Sequence, residues 1–140
     1  MKYLILSAIL LTACSDNGTI YSVSPELSTY VDAFYSEAAL RGVNPPKNFI
    51  VKLGQCQAIT DISLDGEQYI LTFDKAWFEA YNSEQIEAII FHELGKIVLG
   101  REIIETAKFN DPNPVSIMNP YYKFSYGAAD RSVLLDELFK

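Results

Sequence analysis

Histidine is nearly missing: His92 is the only one in a chain of 140 residues. That excludes every metal site built from two or three imidazoles. Cysteine is scarce, with only Cys14 and Cys56, which excludes a disulfide-dense scaffold and a multi-cysteine zinc module. Basic runs and basic patches are lacking. With 18 acids against 11 Lys and Arg, a net charge of −7, the chain is not expected to bind nucleic acid. No apolar stretch approaches the roughly 20 residues of a membrane span. What is present is ordinary globular material. Hydrophobic residues make up 49% and charged residues 21%, a balance of neither disordered nor fibrous chains. The length allows one domain.

The first residues read as an export signal. Lys2 supplies a short positive region, and Tyr3 to Ala13 is an apolar run of h-region length. It ends Leu11-Thr12-Ala13-Cys14-Ser15. This resembles a bacterial lipobox, where cleavage falls before the cysteine and the cysteine is lipidated. A plain secretory signal is the rival reading, but it wants a small third-last residue, and Leu11 is not small. The expectation is a signal peptide over 1–13, lipidation at Cys14, a polar tether over 14–23 and a domain over 24–140. Each acyl chain contributes about 0.8 kcal/mol per buried methylene, so several give a stable anchor. The partner at that end is a membrane, and Ser15 after the cysteine suggests the outer membrane of a bacterial envelope. Removing Lys2 with the signal takes the charge to −8. Cys56 then stands alone, without an intrachain disulfide in a compartment that permits one, and is read as a small buried hydrophobe.

Local rules predict the elements. Ser24-Pro25-Glu26 opens a helix, with a hydroxyl cap, proline at the first helical position and an acid. Leu27, Tyr30, Val31, Phe34 and Ala38 recur at helical spacing, and Gly42 stops the run. Strands are expected at Phe49–Leu53, Gln57–Leu64 and Gln68–Phe73, the last two joined by an Asp65-Gly66 hairpin turn. Asp74 caps a short helical turn with Trp77, Phe78 and Tyr81. Asn82 with Gln85 resembles a capping box for a helix running to about Leu99 and ended by Gly100. A loop-rich stretch, 110–127, carries three prolines, and Ala128–Phe139 closes the chain as an amphipathic helix. The predicted fold class is α+β, one core, with a small three-stranded sheet and a central helix.

That central helix poses the functional question. On a wheel of about 100° per residue, Ile86, Ile90, Leu94 and Ile97 share one side. Phe91, Ala88, Val98 and Leu99 continue round the other. The polar residues His92, Glu93 and Lys96 group in one sector of roughly 100°. Glu87 lies in the first turns, where an acid suits the helix dipole. Unpaired buried charge costs several kcal/mol, so three ionisable groups on a buried helix need a reason. One reading is a salt-bridged seam, Glu93 with Lys96 at i, i+3 and His92 hydrogen-bonded nearby. The other is a metallopeptidase helix, in which H-E-x-x-H aims two imidazoles at zinc and the glutamate acts as general base on the zinc-bound water.

Phe91 to Glu102, F-H-E-L-G-K-I-V-L-G-R-E, resembles F-H-E-L-G-H-x-x-L-x-R-x-H of small bacterial zincin-like lipoproteins, metallopeptidase-type proteins loosely similar to metzincins. Ser116-Ile117-Met118-Asn119-Pro120 resembles the S-I-M-x-P of that family, where the methionine lies beneath the metal as a Met-turn. Leu27 to Gly42, Gly54-Gln55-Cys56, the Trp77 segment and the Leu135–Phe139 ending also fit, so the resemblance covers most of the mature chain. It implies a zincin-like single domain with an active-site-type helix, a Met-turn-like loop at Met118 and a C-terminal helix. It places His92 at the first ligand position and Glu93 at the general-base position. The second ligand position holds Lys96 and the third Ile103; in strict metzincin spacing the third falls at Glu102, a carboxylate that could compensate.

A lysine is a poor substitute. Zinc takes neutral nitrogen, thiolate or carboxylate donors at about 2.0–2.3 Å, and an ammonium has no lone pair. Removing the proton from an ordinary lysine ammonium at neutral pH costs about 4.6 kcal/mol. Loss of even a supporting partner behind a ligand lowers metal affinity about 10–100-fold. The expectation is therefore no bound cofactor, with the Lys96 ammonium standing near the vacated metal position as a substitute cation. Without a metal, Glu93 has no activated water. Cys56 has no second histidine to serve it and Ser116 no adjacent base; a serine triad around His92 has no support from spacing. Met118 is read as a core plug, Tyr121, Tyr122 and Tyr126 as rim aromatics, and Arg101 as a partner of nearby acids or of the last helical carbonyls. Three functions follow. The first is an envelope lipoprotein of peptidase-like fold that is not catalytic and binds a peptide or protein. The second is a zinc metallopeptidase with an atypical ligand set, His92, Glu102 and Glu105 or Asp111, with Glu93 as base. The third is a structural lipoprotein.

Overall fold

The computed structural model describes residues 18–104, 116–119 and 130–140. The segment expected as a signal peptide, Cys14, most of the proline-rich loop and Tyr121, Tyr122 and Tyr126 lie outside the described residues. The architecture is mixed α+β. A short strand β1 (Ser22–Val23) leads into helix α1 (Pro25–Leu40). Strands β2 (Phe49–Gly54), β3 (Thr60–Asp65) and β4 (Gln68–Asp74) follow, then helices α2 (Lys75–Ala80), α3 (Ser83–Ile97) and α4 (Arg131–Leu138).

The sheet has four strands rather than the expected three, in the order β1-β2-β4-β3. The extra strand lies within 14–23, the stretch expected as tether. Ser22 and Val23 pair in parallel with Ile50 and Val51, and Tyr21 sets its ring edge-on to Phe49 at 5.3 Å. Two residues carry too little periodicity to announce a strand. The strand β2 runs parallel to β4, and β3 returns antiparallel along the outer side of β4. The hairpin turn holds Gly66 at φ 61°, a left-handed conformation that glycine adopts without steric cost. Residues 57–59, expected as the start of a strand, precede β3.

One face of the sheet builds the core. Phe49 and Val51 of β2 and Leu71 and Phe73 of β4 are buried, two residues apart as a strand requires. They meet α1 through Leu27, Val31, Phe34 and Ala38, and α3 through Ile86 and Ala88 to Leu94. The Phe34 ring sits edge-on to Phe91 at 5.4 Å and tilted against Phe139 at 5.0 Å, so α1, α3 and α4 share one aromatic joint. The helix ends follow sequence signals. Asn82 and Gln85 form a reciprocal capping box on α3. Gly100 at φ 63° lets Arg101 N–H reach back to the Gly95 carbonyl at 2.9 Å, closing α3. Asp130 accepts from Ser132 N–H at 2.8 Å and starts α4. Among the described residues, no helix is long and apolar enough to cross a membrane.

Candidate functional site

The centre of α3 is buried on all sides, His92 and Glu93 included; each is 1% exposed. The His92 ring is oriented from below. Its Nδ1 lies 2.7 Å from the Ile117 carbonyl oxygen. A carbonyl only accepts, so Nδ1 carries the hydrogen, and in the neutral ring the lone pair sits on Nε2. Glu93 is gripped at both oxygens. Thr60 Oγ1 donates to Oε1 at 2.8 Å, and Lys96 Nζ stands 2.5 Å from Oε2. The lysine reaches in from the boundary: its side chain is 28% exposed against 2% for that of Glu93. The sector of three ionisable residues is thus a buried carboxylate paired with a boundary lysine, beside an oriented imidazole.

The turn beneath this helix is tied down by α4. Ser116 Oγ donates to Glu137 Oε2 at 2.5 Å and accepts from Met118 N–H at 3.0 Å. Arg101 bonds the other oxygen of Glu137 and reaches the Glu137 and Leu138 carbonyls at 2.7 and 3.0 Å. The expected partners of Arg101 were nearby acids or the last carbonyls of its own helix; the acid and carbonyls it finds belong to α4. Met118 is fully buried, and its sulfur presses against Gly95. A Cβ at that glycine would stand 2.7 Å from Met118 Sδ and 3.0 Å from Leu138 Cδ1. The glycine inside H-E-L-G-K is therefore a contact surface for the methionine. A glycine inside a helix costs about 1 kcal/mol relative to alanine, which is the sequence signal that marks it. Thr60, Glu137 and the Ile117 carbonyl were not singled out by sequence.

The remaining candidates are not brought together. Glu102 and Ile103 follow α3 outside any helix or strand and are exposed, Ile103 to 46%. Glu105 and Asp111 lie outside the described residues. Cys56 is half-buried rather than buried, its Sγ 3.6 Å from the Thr72 carbonyl. Burial pushes its thiol up first, and the charges of Asp74 and Asp61 push it further, so the thiolate a nucleophile needs is disfavoured. Asp74 is committed to structure: it accepts from the Cys56, Ala76 and Trp77 backbone N–H groups at 2.9, 3.0 and 3.2 Å. The Cys56 and Trp77 bonds hold it below the usual carboxylate range, and the Ala76 bond adds to them against the opposing effect of burial.

A zinc ion does not fit the described donor set. It needs three protein donors and an open position for catalysis. Of the residues at which the resemblance expects ligands, His92 offers one imidazole, Lys96 an ammonium paired with Glu93, and Ile103 a hydrocarbon. Among the described residues, no group of three or more His, Cys, Asp or Glu side chains could hold a metal. Comparison adds nothing to this geometry. No family model, curated protein or solved structure matches the chain.

Proposed function

We propose that this chain is a lipid-anchored bacterial envelope protein with a zincin-like fold, that it is not a peptidase, and that it serves as a peptide- or protein-binding module. The observation that carries the reading is the Lys96 ammonium 2.5 Å from Glu93 Oε2. The carboxylate at the general-base position is spent on an internal cation and a threonine hydroxyl, so it is poorly placed to take a proton from water. The Ser116–Met118 turn under Gly95 and the His92 bond to it support the family resemblance. Binding draws support from the outer edge of β3, which no strand among the described residues covers. An extended peptide can pair with such an edge, and one that did so would shift the amide resonances of residues 60–65. The anchor is tested by palmitate labelling, expected in the native chain and lost in Cys14→Ala.

Elemental analysis of purified protein tests the central point. The native chain is expected to carry no stoichiometric zinc, and Lys96→His with Ile103→His is expected to gain it. One observation favours a second reading, the atypical zinc metallopeptidase. Ligating histidines usually donate their other ring N–H to a carbonyl or carboxylate, as His92 does to Ile117. Stoichiometric zinc in the native protein, lost in His92→Ala, would establish that reading instead.

A further inference from the structure

Thr60 opens β3, the outermost strand of the sheet. Its register partner on β4 is Phe73, which is buried in the core. Directly paired residues point to the same face, so Thr60 faces the helical layer, and there its hydroxyl meets Glu93 Oε1 at 2.8 Å. The carboxylate therefore has one partner on each oxygen, a strand residue on Oε1 and the Lys96 ammonium on Oε2. These partners depend on each other. The terminal torsion of a glutamate is soft, so a carboxylate without the lysine is free to turn away from the threonine. One without the threonine loses the bond that fixes which oxygen faces the lysine.

The strand at the end of this chain has little else to hold it. Asp61, Ser63, Leu64 and Asp65, four of its six residues, are exposed, and its backbone ladder lies on one side only, against β4. Strands with so little buried surface open locally before the rest of a fold. A hydrogen bond to a buried charge weighs heavily there.

We propose that Thr60, Glu93 and Lys96 form a relay that docks the edge strand β3 on helix α3, so that the charge partner at position 96 is sensed at the outer edge of the sheet. Thr60 is a positioning residue, acting through Glu93. The relay rests on the geometry alone and stands whether or not the site descends from a metal centre.

Amide hydrogen exchange on the intact protein tests it. Thr60→Val keeps the shape and removes the hydroxyl. It is expected to speed exchange of the β3 amides that pair with β4 by about tenfold or more. These amides must still exchange faster than those of α1 in the same variant, which shows that the opening is local. Thr60→Ser is expected to behave as the native protein. Lys96→Met, on the helix, is expected to speed the same β3 amides, and the double variant to add little to either single change. Unchanged β3 exchange in Lys96→Met, or full additivity in the double variant, overturns the relay. Should Lys96→Met fail to fold, Glu93→Gln replaces it: faster β3 exchange supports the relay, and native exchange overturns it.

Discussion

At the scale of single residues, the arrangement at Glu93 makes Lys96 expensive to lose. Removing one member of a buried pair strands the other. Glu93 is sealed while Lys96 is partly exposed, so the cost lies with the abandoned carboxylate. Lys96→Ala is expected to destabilise by about 3 kcal/mol, read from urea or thermal melts. The reference must be chosen with care. Lys47 looks like a plain surface lysine in the sequence, but its Nζ lies 5.4 Å from the Tyr21 ring centroid and 4.9 Å from that of Tyr35, contacts worth about 0.5–1 kcal/mol each. Lys75, 69% exposed, is the better comparison, and a Lys96→Ala shift no larger than that of Lys75→Ala would contradict a stabilising role. Gly95 makes a second prediction, one of sign. Gly95→Ala is expected to lower the melting temperature, because overpacking costs about 1–3 kcal/mol. In a Met118→Ala background the same change is expected to cost less, since the 2.7 Å contact is gone and only Leu138 at 3.0 Å remains. An equal loss in both backgrounds would separate Gly95 from Met118. Of this chemistry, the sector of His92, Glu93 and Lys96 was legible from helical spacing. Thr60 and the Ile117 carbonyl were not, since they meet their partners across 33 and 25 residues of chain, beyond the reach of any local pattern.

Between elements, the helices are laced by charge as well as by the aromatic joint. Glu37 of α1 accepts from Arg41 at 2.7 Å and from Arg131 of α4 at 2.9 Å. Arg131 also reaches Glu87 of α3, and Arg41 reaches Asp136 of α4, each at 2.8 Å. Burial alone would raise the Glu37 carboxyl, but the hydrogen bonds and charges of Arg131 and Arg41 outweigh it and hold the group below the usual range. A carboxylate lowered in the folded state takes up its proton later than in the unfolded chain. Its contribution is complete above the ordinary glutamate value of about 4.3 and is lost as pH falls through the lower folded value. Urea midpoints of the native protein are expected to drop more steeply in acid than those of Glu37→Gln, with the two curves converging at low pH. Parallel curves would mean that Glu37 has no such role. Local rules found α1, β2, β4, α2 and α3 because proline, glycine, Asp74 and the Asn82 capping box punctuate them. They missed β1, whose two residues become a strand only because β2 lies alongside.

For the molecule as a whole, the sequence conveyed the class and left the plan open. Alternating apolar residues show that β2 and β4 turn one face inward, but not that β4 lies between β2 and β3. That order is what brings Thr60, at the far edge of the sheet, over the middle of α3. A zinc site likewise requires donors from separate parts of the chain to converge. The zinc content of the native protein and of the Lys96→His, Ile103→His variant measures that convergence directly. Gain of metal by the variant would mean that the backbone still holds the ligand positions in register. Failure to gain it would mean that the segment after α3, where Glu102 and Ile103 now face solvent, has moved away.

The positive charge facing Glu93 is covalently part of the chain. It cannot dissociate, be captured by a chelator, or be withheld when nutrient metals run short. An ion pair made in this way is complete as soon as the polypeptide folds, because both partners arrive on one helix.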